Sequence, residues 1–341
     1  MVCVDCEVYS EVMAAVIERW TVTGPEFRGF YNVNAVAQTD AGVAIVRSRI
    51  PATDQMDLRP LDEVAILEAI AGRVYAPQVW RTDPARRFFV CSFVGEATLN
   101  EISPRGTAVM MQQMDSIIGT MAALTTVPVS AFVAMQRDSI SALGLPVTST
   151  LDMLVSHLGL LANEAIERRP ILAAALSLPS VDGIVSAIPQ REVARPDVLM
   201  HCDLHRKNLR TGAPGGGLYV LDWELALVGD PLYDLAVHIH KMSYPEWQKE
   251  AFISAWKERV MPTGWSDRDF GAYLAIERSK SAYVDLLRSM QNVLQGTVDA
   301  ETMAIKYRSK LVDLARVVDV PVPSVESIAA EFRAEAARNE K

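Results

Sequence analysis

The chain has 341 residues, half of them hydrophobic and 22% charged, with a formal net charge of −9. That length suffices for a large packed core in one domain or two, and the composition is that of an ordinary folded protein. The acidic balance, with no basic stripe or arm to offset it, argues against a nucleic-acid partner.

Residues 7–20 have the spacing of an amphipathic helix, with Val8, Val12, Ala15, Val16 and Trp20 on one side. Asp5, Glu7 and Glu11 interrupt this stretch and no basic start precedes it, so it does not read as a secretory signal. Cys3 and Cys6 form a lone C-x-x-C without the second ligand pair that a zinc site needs. With Cys91 and Cys202 they read as incidental cysteines of a reducing compartment. The most apolar later segment, residues 171–178, ends at Pro179 and is too short to span a bilayer. The expected location is cytoplasmic, with no membrane partner.

FRGFYNVNAVAQ and GVAIVRSRI flank Thr39-Asp40-Ala41-Gly42 and predict a hairpin. A helix follows over 61–73, with Val64, Leu67, Ala71 and Val74 inward. PQVW and RRFFVCSFVG bracket Thr82-Asp83-Pro84-Ala85, a second hairpin signal. After Gly95 helical patterns dominate, first over 107–126 with Val109, Met110, Met114, Ile117, Ile118, Met121 and Leu124 on the apolar face. Residues 148–188 predict two or three helices broken by Pro170 and Pro179, and helical signals resume from Pro231 onward. The expected fold class is α+β, with a boundary between Phe93 and Ala97: a strand-rich lobe over 1–95 and a mainly helical lobe over 96–341.

One island interrupts the helices. Residues 201–209 read HCDLHRKNL, Gly215-Gly216-Gly217 marks a hairpin turn, and the returning run LYVLD ends at Asp222. Asp203, Asn208 and Asp222 are the groups that phosphoryl transfer requires, because the protein's work there is positioning and charge neutralisation. Asp203 is suited to accept a hydrogen bond from an attacking hydroxyl. Asn208 and Asp222 supply one amide oxygen and one carboxylate, a fitting set of hard ligands for Mg2+. His201 fits a role in fastening the loop.

This segment resembles the aminoglycoside phosphotransferase and choline kinase family, small-molecule kinases with a protein-kinase-like, bilobal fold. The family's H-x-D-x-H-x-x-N loop is matched by His201, Asp203, His205 and Asn208, and its metal strand by Asp222, Trp223 and Glu224. The trailing G-D-P-x-x-D-L-A is matched by Gly229, Asp230, Pro231, Asp234, Leu235 and Ala236. The resemblance implies ATP or GTP as donor and a small hydroxylated acceptor, with Asp203, Asn208, Asp222, His201 and His205 at the catalytic centre. It further implies Arg47, or Arg49 beside it, on the phosphates, Glu63 as its helix partner, and Cys91 to Val94, Phe93 included, as the hinge that meets the base. The phosphate-covering loop GFYNVN, which includes Asn32, has one glycine, Gly29, and departs from the family's pattern.

Asp230 reads as the N-cap of the helix opening at Pro231. Arg206 and Lys207 read as solvent-facing, and Asp197, Glu224 and Asp285 as acidic candidates for a cationic acceptor. Trp247, Trp256, Trp265, Tyr273 and Tyr283 are the aromatic supply for a cation cage. The functional expectation is an O-phosphotransferase acting on a polar natural product such as an antibiotic, with a choline, homoserine or sugar kinase as the alternative. An inactive nucleotide-binding homologue is a further alternative, disfavoured because Asp203, Asn208 and Asp222 are all intact. A protein kinase is disfavoured because GDPLYDLA follows Asp222 with no room for an activation loop.

Overall fold

The computed structural model describes residues 21–28, 31–39, 42–50, 56–83, 85, 88–189, 193–261 and 263–339. The helix expected over 7–20, Cys3, Cys6 and Gly29 lie outside them. By Cα packing the chain forms two units, one of residues 1–136, 198–228 and 241–263, the other of residues 137–197, 229–240 and 264–341.

The first unit is built on a five-stranded antiparallel sheet of β1 (Thr21–Arg28), β2 (Asn32–Thr39), β3 (Gly42–Arg49), β4 (Val79–Thr82) and β5 (Phe88–Ser92). Its order is β1-β2-β3-β5-β4. The sequence led us to expect one strand where β1 and β2 stand. Gly24 and Pro25 look like breakers, but β1 is an edge strand and its register shifts between Val22 and Glu26, which accommodates them. Alternation then sorts the side chains. Ala37, Ala44, Val46 and Val90 form a buried cluster on one face, while Val36, Ile45, Arg47, Phe89 and Cys91 line a cleft on the other.

Helix α1 (Glu63–Ile70) starts at Asp62, whose carboxylate accepts the Ala65 N–H at 2.9 Å. It is shorter than the expected 61–73. Its inward residues are Val64, Ile66, Leu67 and Ile70, while Ala71 is the exposed C-cap. Helix α2 (Leu99–Ile102) carries a Thr98/Glu101 capping box, and α3 (Met111–Leu124) buries every expected apolar position except Met110, which is exposed. Short strands β7 (Leu209–Ala213) and β8 (Gly217–Val220) form the expected hairpin, with Gly215 and Gly216 at positive φ. Strand β6 (Val198–Met200) pairs with β9 (Leu227–Gly229).

Beyond β5 the chain is fastened to β7. Glu96 N–H donates to Thr211 O at 2.9 Å and Thr211 N–H to Ala97 O at 3.0 Å. Gly95 sits at φ +75°, and a Cβ there would lie 2.6 Å from Arg210 Cβ, so no larger residue fits.

The second unit is helical: α5 (Thr150–Arg168), α6 (Pro170–Ala175), α7 (Val181–Ser186), most of α8 (Pro231–Met242), α10 (Asp267–Leu294), α11 (Ala300–Leu314) and α12 (Val325–Asn339). α10 packs on α5 and α11, and α11 on α12. Tyr273, Tyr283, Tyr307 and Phe332 are fully buried in this core. Helix α4 (Ser130–Ala142) runs from one unit into the other, and α9 (Glu246–Arg259) packs on α3 in the first.

Candidate active site

His201, Asp203, His205 and Asn208 follow β6 in a loop that hydrogen bonds draw tight. His201 is wholly buried. Its Nδ1 accepts the Asp203 N–H at 3.1 Å while Nε2 lies 2.9 Å from Leu221 O, so the ring is a neutral Nε2–H tautomer. Burial pushes its pKa down to about 4, against the pull of Asp203. His201 therefore fastens the loop to the residue that precedes Asp222, as the sequence suggested.

Asn208 ties the same two segments. Its backbone carbonyl accepts the Leu221 N–H at 2.8 Å. Its amide nitrogen donates to Asp203 O and to Asp203 Oδ2, both at 3.0 Å, so the two bonds use the amide's donors and not its oxygen. Asp222 follows β8 in the left-handed region, φ 66° and ψ 67°. Cys202 is left-handed as well, at φ 59°. Asp tolerates that conformation better than most residues, and here it places the side chain, 32% exposed, on the cleft.

Arg47 reaches Asp222 from the sheet. Its Nε bonds Glu63 Oε2 at 2.8 Å, its Nη2 bonds Asp222 Oδ1, and Glu224 Oε2 lies 3.6 Å away. Burial alone would lower the Arg47 pKa, but the three carboxylates outweigh it and hold the group firmly cationic. Glu63 Oε1 also accepts the Trp223 N–H at 3.2 Å, so this one residue joins α1, β3 and the segment after Asp222. Arg47, not Arg49, lines the main cleft. Arg49 is exposed and lines a smaller cavity of about 70 Å³ with Arg59, Asn32 and Glu224.

The main cleft has a volume of about 700 Å³, within the range of small-molecule and cofactor sites. Arg47, Glu63, Cys91, Phe93, Asn208 and Asp222 all line it. Cys91 is buried, and burial pushes its thiol up to about 12, so it does not serve as a nucleophile. Phe93 is 41% exposed beneath the Arg210 guanidinium, 5.0 Å from the ring centre. Asn32, the fifth expected nucleotide residue, begins β2 rather than a loop and donates to Glu224 instead. Burial and Asp222 together push the Glu224 carboxyl up to about 8, against the pull of Arg47.

Asp203 Oδ1 is held by Lys241 Nζ at 2.5 Å, with His205 Nε2 at 3.5 Å. Burial would raise the Asp203 pKa, but Lys241 and His205 outweigh it and keep the carboxyl well below the usual range. Sequence reasoning missed Lys241, which lies in α8 and carries no spacing signal relative to Asp203. It also misplaced Arg206. That side chain is 2% exposed, and its guanidinium donates to Ser103 O and Thr107 O at 2.6 Å each and to Met242 O at 3.0 Å. Three inward carbonyls, invisible in the local sequence, hold it as an internal brace. Asp230 is the N-cap that the sequence predicted: its Oδ1 accepts the Leu232 N–H at 3.0 Å.

Comparison with known proteins places this geometry. The family model described as "Phosphotransferase enzyme family" matches residues 26–270. Among solved structures, the choline kinase LicA of Streptococcus pneumoniae is 16% identical, with TM-score 0.54, over 91% of this chain and 98% of that one. A type I macrolide 2′-phosphotransferase is 16% identical with TM-score 0.54, over 94% of this chain and all of the other. The ethanolamine kinase of Plasmodium vivax is 16% identical with TM-score 0.53, over 96% and 84%. A search of curated proteins gave no significant match. The fold is thus that of the α+β small-molecule kinases. The chain belongs to the phosphotransferase enzyme family and is a small-molecule kinase with a hydroxyl acceptor.

No helix among the described residues is long and apolar enough to cross a membrane. Among those residues, His, Cys, Asp and Glu form no group of three that could hold a metal ion.

Proposed function

We propose that this protein moves the γ-phosphate of ATP or GTP to a hydroxyl of a polar natural product, and that the acceptor is an antibiotic. The observation that carries the reading is the web joining Asp203 to Asn208, and Asn208 to Leu221 just before Asp222, beside a nucleotide-sized cleft. Asp203 orients the hydroxyl and takes its proton. The hydroxyl oxygen bonds to the γ-phosphorus as the bond to the β–γ bridging oxygen breaks, and the diphosphate leaves with that electron pair. Asn208 and Asp222 hold Mg2+, which neutralises phosphate charge when bound. Arg47 binds phosphate oxygens by exchanging part of its contact with Asp222, while Glu63 keeps it aimed. The strand end Cys91 to Val94 receives the base.

Two observations favour a natural-product hydroxyl over a quaternary amine. Of the five aromatic candidates, Trp256, Tyr273 and Tyr283 are 1%, 0% and 0% exposed and belong to cores, which leaves only Trp247 and Trp265 with open surface, too few for a closed cage. Of the acidic candidates, Asp285 is paired with Lys310 at 3.3 Å and Glu224 is enclosed by Asn32 and Arg47.

The test is a mass-spectrometric transfer assay. The protein, Mg2+, ATP and GTP are mixed with pools of hydroxylated antibiotics, choline, homoserine and sugars. The expected result is one acceptor from the antibiotic pool gaining a single phosphoryl group. Asp203→Asn should keep nucleotide affinity and lose about 10²–10⁴-fold in turnover, the scale of a general base. Full turnover in that variant, or transfer to choline alone, refutes the reading.

A further inference from the structure

Lys241 stands outside every motif of the site, yet its ammonium touches the group placed to activate the acceptor. It is the penultimate residue of α8, with Nζ 2.5 Å from Asp203 Oδ1 and a side chain 28% exposed. Its position suits a cation twice over: the last turn of a helix favours positive charge, and Asp203 is the counterion.

Building on the kinase reading above, we propose that Lys241 bridges Asp203 and the γ-phosphate, and is the residue by which the site distinguishes a nucleoside triphosphate from a diphosphate. Asp203 Oδ2 bonds the Asn208 amide, and the Asn208 carbonyl bonds Leu221, next to Asp222. A metal held by Asn208 and Asp222 would bring the phosphate chain up to the side of the loop that carries Asp203. An in-line acceptor hydroxyl on Asp203 then puts the terminal phosphate within reach of whatever cation touches that carboxylate. An ammonium carries three donors on a flexible four-carbon stem, so it can hold a carboxylate and a phosphate oxygen together.

The neighbouring cations are worse placed. Arg206 is buried against three carbonyls. Arg47 is engaged by Glu63, Asp222 and Glu224 on the sheet side. His205 accepts the Lys207 N–H on Nδ1 at 3.1 Å, and its Nε2 lies 3.5 Å from Asp203 Oδ1, farther than Lys241. Lys207 lines the cleft at the surface, without an ion pair to Asp203. Lys241 makes the shorter of the two contacts with the carboxylate, 2.5 Å against 3.5 Å for His205.

The experiment titrates the full chain, with Mg2+, against ADP and GDP and against their non-hydrolysable imido-triphosphate analogues, by calorimetry. Wild type should prefer one triphosphate analogue over its diphosphate by about tenfold or more, the scale of a charge-assisted hydrogen bond. Lys241→Met should bind the diphosphate within about twofold of wild type and lose that preference, while Lys241→Arg keeps most of it. Lys241→Gln replaces Lys241→Met should the latter fail to fold. The double variant Asp203→Asn/Lys241→Met separates contact from simple neutralisation: with a phosphate contact, the preference stays lost. Equal weakening of both nucleotides, no weakening of either, or recovery in the double variant overturns the proposal. A wild type that binds no nucleotide overturns the kinase reading itself, and this inference with it.

Discussion

Arg47 and Arg195 are each bracketed by carboxylates, to opposite ends. Arg47 meets Glu63, Asp222 and Glu224 on the wall of the cleft, and Asp222 is 32% exposed. Arg195 bonds Asp230 and Asp269 at 2.6 Å each, and its side chain and theirs are 3%, 7% and 2% exposed. Arg195 also donates to Val193 O and Gly264 O, and Tyr273 O–H donates to Asp230. Both carboxylate partners of Arg195 are buried. Arg47 has one enclosed partner, Glu63, and one that opens on the cleft, Asp222. The contrast is one of exposure: one guanidinium is closed in by buried carboxylates, while the other has a carboxylate partner that faces open space.

The largest test of that contrast is Arg195→Met, which leaves two buried carboxylates without a cation. Urea unfolding should show a loss of about 3–5 kcal/mol. Next comes His201, the sealed member of the cleft web. Its folded pKa of about 4 lies below its ordinary 6.5, so the folded state binds fewer protons than the unfolded one. Its contribution is complete above about pH 6.5 and fades as pH falls through about 4, up to about 3 kcal/mol in all. His201→Asn should flatten that acid limb in unfolding curves taken at about pH 7.5 and about pH 5; an unchanged slope would assign the limb to other groups.

Arg47→Met should cost only about 1 kcal/mol of stability, because its carboxylates face solvent or can take up protons, while raising nucleotide KM about tenfold. A stability loss equal to that of Arg195→Met would erase the contrast. The smallest effect belongs to Arg49→Ala, whose side chain lies off the main cleft: nucleotide KM should shift by less than about twofold. A larger shift than for Arg47→Met would move the phosphate contact to Arg49.

The legible parts of the molecule were those with local spacing. His201, Asp203, Asn208 and Asp222 come together because a short loop and a glycine-marked hairpin bring them there, and both leave a trace in the sequence. The Arg47–Glu63 pair was reachable through strand parity and the family's order. Arg206, Lys241 and Arg195 were not, because their partners lie 99, 38 and 74 residues away in sequence and no local pattern marks them. Strand β1 was obscured by Gly24-Pro25, which only an edge position tolerates.

The fastening around Gly95 has a mechanical consequence. On one side Phe93 N–H is tied to Val43 O at 3.2 Å, as part of the sheet. On the other, Gly95 is wedged against Arg210 and Glu96 is bonded to Thr211. Between the two anchors stands Val94. The passage from the sheet to β7 is thereby pinned on both sides within four residues, which makes it a rivet rather than a flexible strap.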